Sequence, residues 1–253
     1  MLIRLVTALV ALTAGPALAA DWPAPVQAMA DQGLTIHDAF EAPGGLTGYA
    51  ASYQGQEMAI YLTEDGEHAV VGNLVDAEGN NLSLAPLERL VRAPQDNQLW
   101  QDLGNSHWIR DGDTDAPRIV YTFTDPNCAY CRQFWEQTRP WVEAGKVQLR
   151  HIMVGILEHD SPRKAVSLLA AEDPSAALIA NHHGEPVEWL ETLPRKWEVA
   201  LLENHQLFES LGFQATPSTL YQRDGLVEAA HGLPEAGQLS EVMGSEEPAG
   251  TGQ

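Results

Sequence analysis

The rhythm of apolar and polar positions changes several times along the chain. "DWPAPVQAMADQGLTI" predicts a short helix around Val26 to Gln32, and small strands punctuated by glycine follow it. Two β-rich runs, Met58 to Thr63 and His68 to Val75, flank the turn pair Asp65-Gly66, and a second turn is expected at Glu78-Gly79-Asn80. This is the pattern of an antiparallel meander. A sheet of this length has little core of its own and exposed edges, so pairing with a second copy would stabilise it.

In the next stretch, Pro94 can open a helix, Leu99, Trp100 and Leu103 give it apolar spacing, and Gly104 can close it. Residues 85–107 are therefore expected to form a partly helical linker, and "RDGDTDAP" after them a polar turn cluster. From Arg118 the pattern becomes strand, helix, strand: "RIVYTF", then "CRQFWEQTRPWVEAGK" with Gly145 as its stop, then "VQLRHIMVG". Such a unit is the basis of a parallel pair in an α/β layer. Pro140 should kink that helix without ending it, because the apolar face resumes at Trp141 and Val142. Residues 161–211 have helical character with turn signals at Asp173-Pro174 and His183-Gly184, and His182-His183 is expected in a solvated loop. "TPSTLYQRDGLVEAAHG" gives two strands around Asp224-Gly225, "PEAGQLSEVM" a last helix, and residues 245–253 a disordered tail.

The start of the chain changes the setting. "MLIRLVTALVALTAGPALA" puts Arg4 ahead of an uncharged apolar run and a small-residue site at Ala17-Leu18-Ala19, the layout of a secretory signal peptide over residues 1–19. The mature protein is then soluble and exported, into a compartment where disulfides form and persist. Charge narrows the partners. There are 14 Lys plus Arg against 35 Asp plus Glu, and losing Arg4 takes the balance from −21 to −22 (13 − 35). That excess argues against nucleic acid, whose phosphates need cations.

Only two cysteines occur, Cys128 and Cys131, separated by Ala129 and Tyr130. Three readings compete: a redox couple, half of a metal site, or an inert staple. A structural zinc site wants four ligands, and the nine histidines show no ligand-like spacing to this pair. A disulfide across so short a loop restrains the unfolded chain little. A pair one turn apart at a helix start has both proximity and reactivity, because the unpaired amides and positive end of the helix favour a thiolate at the first position. In the redox reading Cys128 attacks and the more shielded Cys131 resolves the mixed disulfide. Far along the chain, Thr216-Pro217 stands before a strand, where a cis proline would leave neighbouring backbone free to pair with an extended substrate.

"FTDPNCAYCRQFWEQTRPWVEAGKVQLRHIMVG" resembles the active-site region of the DsbC/DsbG family of bacterial periplasmic thiol:disulfide interchange proteins, most of all its DsbG-like members. The likeness extends to "FEAPGGLTGYA", "IYLTEDGEHAVVGN", "SHWIRDGDTDAP" and "TPSTLYQ", and so to nearly the whole mature chain. It implies a mixed α+β and α/β architecture: a cystatin-like dimerisation domain over residues 20–84, the 85–107 linker helix, and a thioredoxin fold with a helical insertion over 108–244. It also implies a periplasmic V-shaped homodimer, kept reduced by a DsbD-type membrane donor, that rearranges or reduces client disulfides and reduces sulfenic acids on single cysteines, with no cofactor and no metal. Cys128 would be its nucleophile, Cys131 its resolving cysteine, Thr216 with cis-Pro217 its substrate-facing loop, and Ala129-Tyr130 the redox-tuning dipeptide. Two departures stand out: Ala129 lies where DsbG-like proteins commonly have Pro, and Thr122 where thioredoxin has a buried Asp. The absence of the extra cysteine pair of DsbC-like proteins favours the DsbG side. A dithiol oxidase using the same residues, or a client-binding chaperone, are the competing functional classes.

Overall fold

The computed structural model describes residues 22–249, so the expected signal peptide and residues 250–253 of the expected tail lie outside the described residues. The chain divides into two compact units, one ending at Val91 and the other beginning at Arg92.

The first unit contains α1 (Ala24–Asp31) and a four-stranded sheet of β1 (Thr35–Glu41), β2 (Thr47–Tyr53), β3 (Gln56–Leu62) and β4 (Ala69–Val71) in sequential order. All its pairings are antiparallel, as the alternating runs and tight turns require. The sheet has apolar side chains on both faces, which explains why β2 carries no polar alternation. Tyr49, Ala51, Ile60 and Leu62 pack with Val26 of α1. Phe40, Ala50, Ala59 and Tyr61 pack with Leu87 of α2 (Leu84–Leu87) and with Val91. This unit therefore has more core than its length suggests. Small residues in β2 make room for aromatic rings: a Cβ on Gly48 would stand 2.2 Å from the Phe40 ring. The expected strand over His68 to Val75 shortens to β4, an edge on which Val70 and Val71 are exposed.

After α2 the chain continues through a π-helical segment, Glu88–Arg92, into α3 (Ala93–Asn105). The second unit is built on a five-stranded sheet of order β5-β7-β6-β8-β9, from β5 (Trp108–Asp111), β6 (Arg118–Thr124), β7 (Val147–Met153), β8 (Ser218–Arg223) and β9 (Leu226–His231). Only β6 and β7 run parallel, joined by α4 (Ala129–Glu143) as the strand-helix-strand pattern predicts. Helix α4 runs through Pro140, whose ring takes the place of one intrahelical N–H. β5 was not expected, because its four residues include Arg110 and Asp111 inside a polar run.

Alternate residues of β6 face different layers. Val120 packs with Phe134 and Trp141 of α4 and Val242 of α8 (Ala236–Met243). Tyr121 and Phe123 pack with Leu103 of α3 and Phe208 of α7 (Arg195–Ser210). Helices α5 (Ser161–Leu169) and α6 (Pro174–His182) build a further cluster around Met153, Leu168 and Leu178. The hairpin β8-β9 turns on Asp224 and Gly225, both at positive φ (52° and 83°), the geometry of a two-residue primed turn.

Candidate active site

Strand β6 delivers the chain to the cysteines through Asp125, Pro126 and Asn127. Asp125 is buried and its carboxylate is saturated: one oxygen accepts from the Asn127 amide (2.8 Å) and the Ser161 hydroxyl (2.9 Å), the other from the amides of Ile156 (2.7 Å) and Leu157 (3.0 Å). Its carbonyl accepts from the Cys128 amide at 3.0 Å. Asn127 extends the clasp, donating to Asp160 and Ser161 and accepting from Lys164. These side chains fix the turn that carries Cys128 to the segment leading into α5. They were missed in the sequence, although "DPN" ahead of a helix is itself an Asx-turn signal.

Cys128 is the N-cap of α4, one residue before the helix. Its sulfur accepts from the Cys131 amide at 3.0 Å and lies 3.3 Å from the Thr216 carbonyl oxygen. The two cysteines are joined as a disulfide with Cα atoms 5.2 Å apart. Cys128 is 7% exposed and Cys131 2%, so Cys128 is the more open of two buried cysteines. Ala129 and Tyr130 project outward, and Tyr130 is 63% exposed.

The Thr216-Pro217 bond is cis, and both residues are buried against the couple's side of the fold. The ladders of β8 with β6 and β9 begin at Ser218, so Thr216 lies just outside them. Its Oγ1 is buried with no hydrogen-bond partner among the described residues. The two cysteines and Thr216 therefore meet at one place, although 88 residues separate Cys128 from Thr216.

Further along α4 lies a polar cluster that no sequence pattern announced. Arg139 clamps Asp111 of β5 with two hydrogen bonds, 2.9 and 2.5 Å, donates to the Trp135 carbonyl and sits 4.4 Å from the Trp135 ring centroid. His151 of β7 bridges Asp111 (3.4 Å) and the Thr124 hydroxyl (3.1 Å). Because a carboxylate only accepts, Nε2 of His151 donates toward Asp111. Burial opposes the charge on Asp111, but hydrogen bonds from His151 and Arg139 and their charges outweigh it and hold the carboxyl well below the usual range.

His182, expected in a solvated loop, is instead 4% exposed as the last residue of α6. It stacks on Trp135 with centroids 5.2 Å apart and planes 12° apart, and Trp135 supplies the apolar surface that hydropathy could not assign to it. Only His183 of the pair is exposed. Burial, then the nearby His151, push His182 down to about 2, and Asp111 only partly offsets them. The place taken by Asp in thioredoxin holds Thr122, wholly buried and accepting a hydrogen bond from Thr219.

Comparison with known proteins agrees with this arrangement. Residues 16–84 match the family described as "Disulfide bond isomerase protein N-terminal domain", and residues 103–185 the one described as "Thioredoxin". The chain is 49% identical over 248 residues to the thiol:disulfide interchange protein DsbG of Pseudomonas aeruginosa, covering 96% of this chain and 97% of that one. It is 40% identical over 242 residues to DsbG of Escherichia coli, covering 94% and 97%. The thiol:disulfide interchange protein DsbC of E. coli is more distant, 23% identical over 174 residues and 66% of each chain. Among solved structures, the catalytic domain of Proteus mirabilis ScsC shares the fold with a TM-score of 0.51 at 21% identity, covering 60% of this chain and 96% of that one. The chain, which carries a couple capping a helix beside a cis-proline loop and matches DsbG proteins over nearly its whole length, belongs to the DsbC/DsbG family of thiol:disulfide interchange proteins.

Proposed function

We infer that Cys128 is the nucleophile of a protein disulfide reductase and isomerase, and that Cys131 resolves its mixed disulfides. The observation that carries this is the capping geometry of Cys128, whose sulfur accepts the Cys131 amide at the positive end of α4. A thiolate accepts that bond more strongly than a neutral thiol, so the helix start favours the attacking form. In the reduced protein, the Cys128 thiolate attacks one sulfur of a client disulfide, forming a mixed disulfide and expelling the other client sulfur as thiolate. In isomerisation, that thiolate attacks another client disulfide, the thiolate so released attacks the client sulfur bound to Cys128, and Cys128 leaves unchanged as a thiolate. In reduction, Cys131 attacks the Cys128 sulfur, releases the client thiol and closes the Cys128–Cys131 disulfide, a two-electron oxidation of the protein. With a sulfenylated client cysteine the same attack expels hydroxide, which leaves as water. Thr216 and cis-Pro217 offer backbone against which an extended client segment can pair, and Ala129-Tyr130 tune the potential.

The surroundings assigned to this chemistry are the periplasm, where the expected signal peptide would deliver the chain, and a DsbD-type membrane reductant as electron source. Alkylation of the reduced protein as a function of pH tests the assignment. Half-maximal reactivity of Cys128 is expected well below the free-cysteine value of about 8.5, and a midpoint at that value contradicts the activated thiolate.

The working unit is a homodimer formed through the first unit. In support, β4 is an edge strand, and Val70 (61%), Val71 (48%) and Val75 (60%) leave apolar surface beside its unpaired backbone. Sedimentation at micromolar concentration should give the mass of two chains, and a stable monomer refutes this part of the reading.

A further inference from the structure

A cavity of about 330 Å³ opens at Pro126 and Asn127, the two residues before Cys128, and runs along the first turn of α4 to the segment after α6. Its charged lining consists of Arg132, Lys164 and Glu185. These charges are not equivalent. Lys164 is already answered, since its ammonium holds Asp160 (3.0 Å) and the Asn127 side-chain oxygen (2.7 Å). Arg132, next to Cys131, is exposed, and its side chain makes no hydrogen bond or ion pair among the described residues, with Glu185 or any other group. Its guanidinium lies over Gly184, where a side chain's Cβ would already touch it at 3.7 Å.

The other end presents an indole. Trp189 is 53% exposed, although large aromatic rings are otherwise mostly covered in this unit. Arg163 fixes it: the guanidinium stands 5.8 Å from the ring centroid and donates to the carbonyl of Leu190 at 3.0 Å. A pinned, half-bare indole is a platform for an apolar or aromatic side chain, worth more than its area alone when rings meet.

We propose that this cavity is a client subsite, in which Arg132 pairs with an acidic side chain and Trp189 receives an apolar one, both close in sequence to the cysteine that Cys128 attacks. The proposal rests on the dithiol reading above and adds the class of client. Charge complementarity carries it. A chain of net charge −21 repels acidic clients at long range. An unpaired guanidinium beside the couple is a local exception, which rewards a carboxylate only when it arrives in register with a target disulfide. Repulsion from the whole surface and attraction at one point together make a selective site.

The test uses two disulfide-linked peptide dimers, identical except for Glu or Lys two residues from the cysteine, each with a Trp two residues further on. Reduced protein converts each dimer to two peptide thiols while its own dithiol becomes the disulfide, so single-turnover rates need no added reductant. Salt near 0.15 M screens the distant charges and leaves close contact intact. The wild type is expected to reduce the Glu peptide faster, and Arg132→Glu to shift the Glu-to-Lys rate ratio by about tenfold or more toward Lys. Taking the ratio cancels any change in Cys128 reactivity, which affects both peptides alike. Reversing an exposed cation that does not line the cavity, Arg110→Glu, should leave the ratio within about twofold, because an exposed charge out of contact with the client is screened. Trp189→Ala should slow both peptides several-fold at an unchanged ratio. A ratio that Arg132→Glu does not move, or moves no more than Arg110→Glu does, overturns the subsite. Failure of the wild-type protein to reduce either peptide overturns the dithiol reading together with it.

Discussion

Cys131→Ser should turn the protein into a covalent trap. Cys128 keeps its place as N-cap and its hydrogen bond from the backbone amide of residue 131, so the first attack on a client disulfide proceeds. The second step then lacks its nucleophile, because a serine hydroxyl is not ionised at neutral pH and cannot displace a thiolate from the mixed disulfide. With a client that has no further thiol, release should slow by more than about 100-fold, and the Cys128–client adduct should accumulate on non-reducing gels. Cys128→Ser should form no adduct at all, since Cys131 is 2% exposed and has neither the cap position nor a route to a large client. The asymmetry between the variants is the informative result. Equal trapping by both would mean that either sulfur can attack, and rapid release from Cys131→Ser would mean that another group resolves the intermediate. In a mixture of cellular proteins, the same variant would also report which clients are bound, and whether acidic and apolar residues gather near the captured cysteines.

The couple was legible in the sequence because its chemistry is local. Two cysteines three residues apart at the end of a buried strand can only meet at a helix start, and Thr216-Pro217 ahead of another strand marks its own place in the sheet. The parallel pair β6 and β7 was legible for a similar reason, since the apolar start of β6, the helical spacing of α4 and the stop at Gly145 follow one another along the chain. What sequence alone did not reveal is assembled from distant pieces. Asp111, Arg139, His151 and His182 come from β5, α4, β7 and α6, and no spacing along the chain predicts their meeting. β5 was hidden because Asp111, read as part of a polar turn, points inward to Arg139. His182 was misread because its neighbours His183 and Gly184 are exposed, while the ring that covers it belongs to Trp135, 47 positions earlier. Asp125 carries no pattern of its own, and its burial depends on Ser161 and on the amides of Ile156 and Leu157. Local chemistry can be read from a chain, whereas buried polar networks wait for the fold to bring their members together.

That network makes the second unit acid-sensitive, and His182 should dominate the effect above pH 4. In the unfolded chain its imidazole titrates near 6.5, whereas in the fold it is pushed down to about 2. Between those values the unfolded state binds a proton that the native state refuses, so stability is fully present above about pH 6.5 and is lost as pH falls, by at most about 1.4 kcal/mol per pH unit. The groups facing this ring are His151, Asp111, Arg139 and Arg132, and only the Asp111 carboxylate would welcome a further positive charge there. Asp111 acts in the same direction at lower pH: its depressed carboxyl contributes stability that is lost once the unfolded chain begins to protonate near 3.9. Urea unfolding of the oxidised protein at pH 7.5 and pH 5 should therefore differ by up to about 2 kcal/mol from this site alone. His182→Phe keeps a flat ring for Trp135 and removes both the titration and the unpartnered Nε2. At pH 7.5 the variant should be as stable as the wild type or about 1 kcal/mol more so. At pH 5 it should be clearly the more stable of the two. Identical pH slopes in the two proteins would show that His182 gains its proton without unfolding, and that the stack on Trp135 opens locally in acid. Since Trp135 follows Cys131 by one helical turn, such opening would loosen the helix that holds the redox couple.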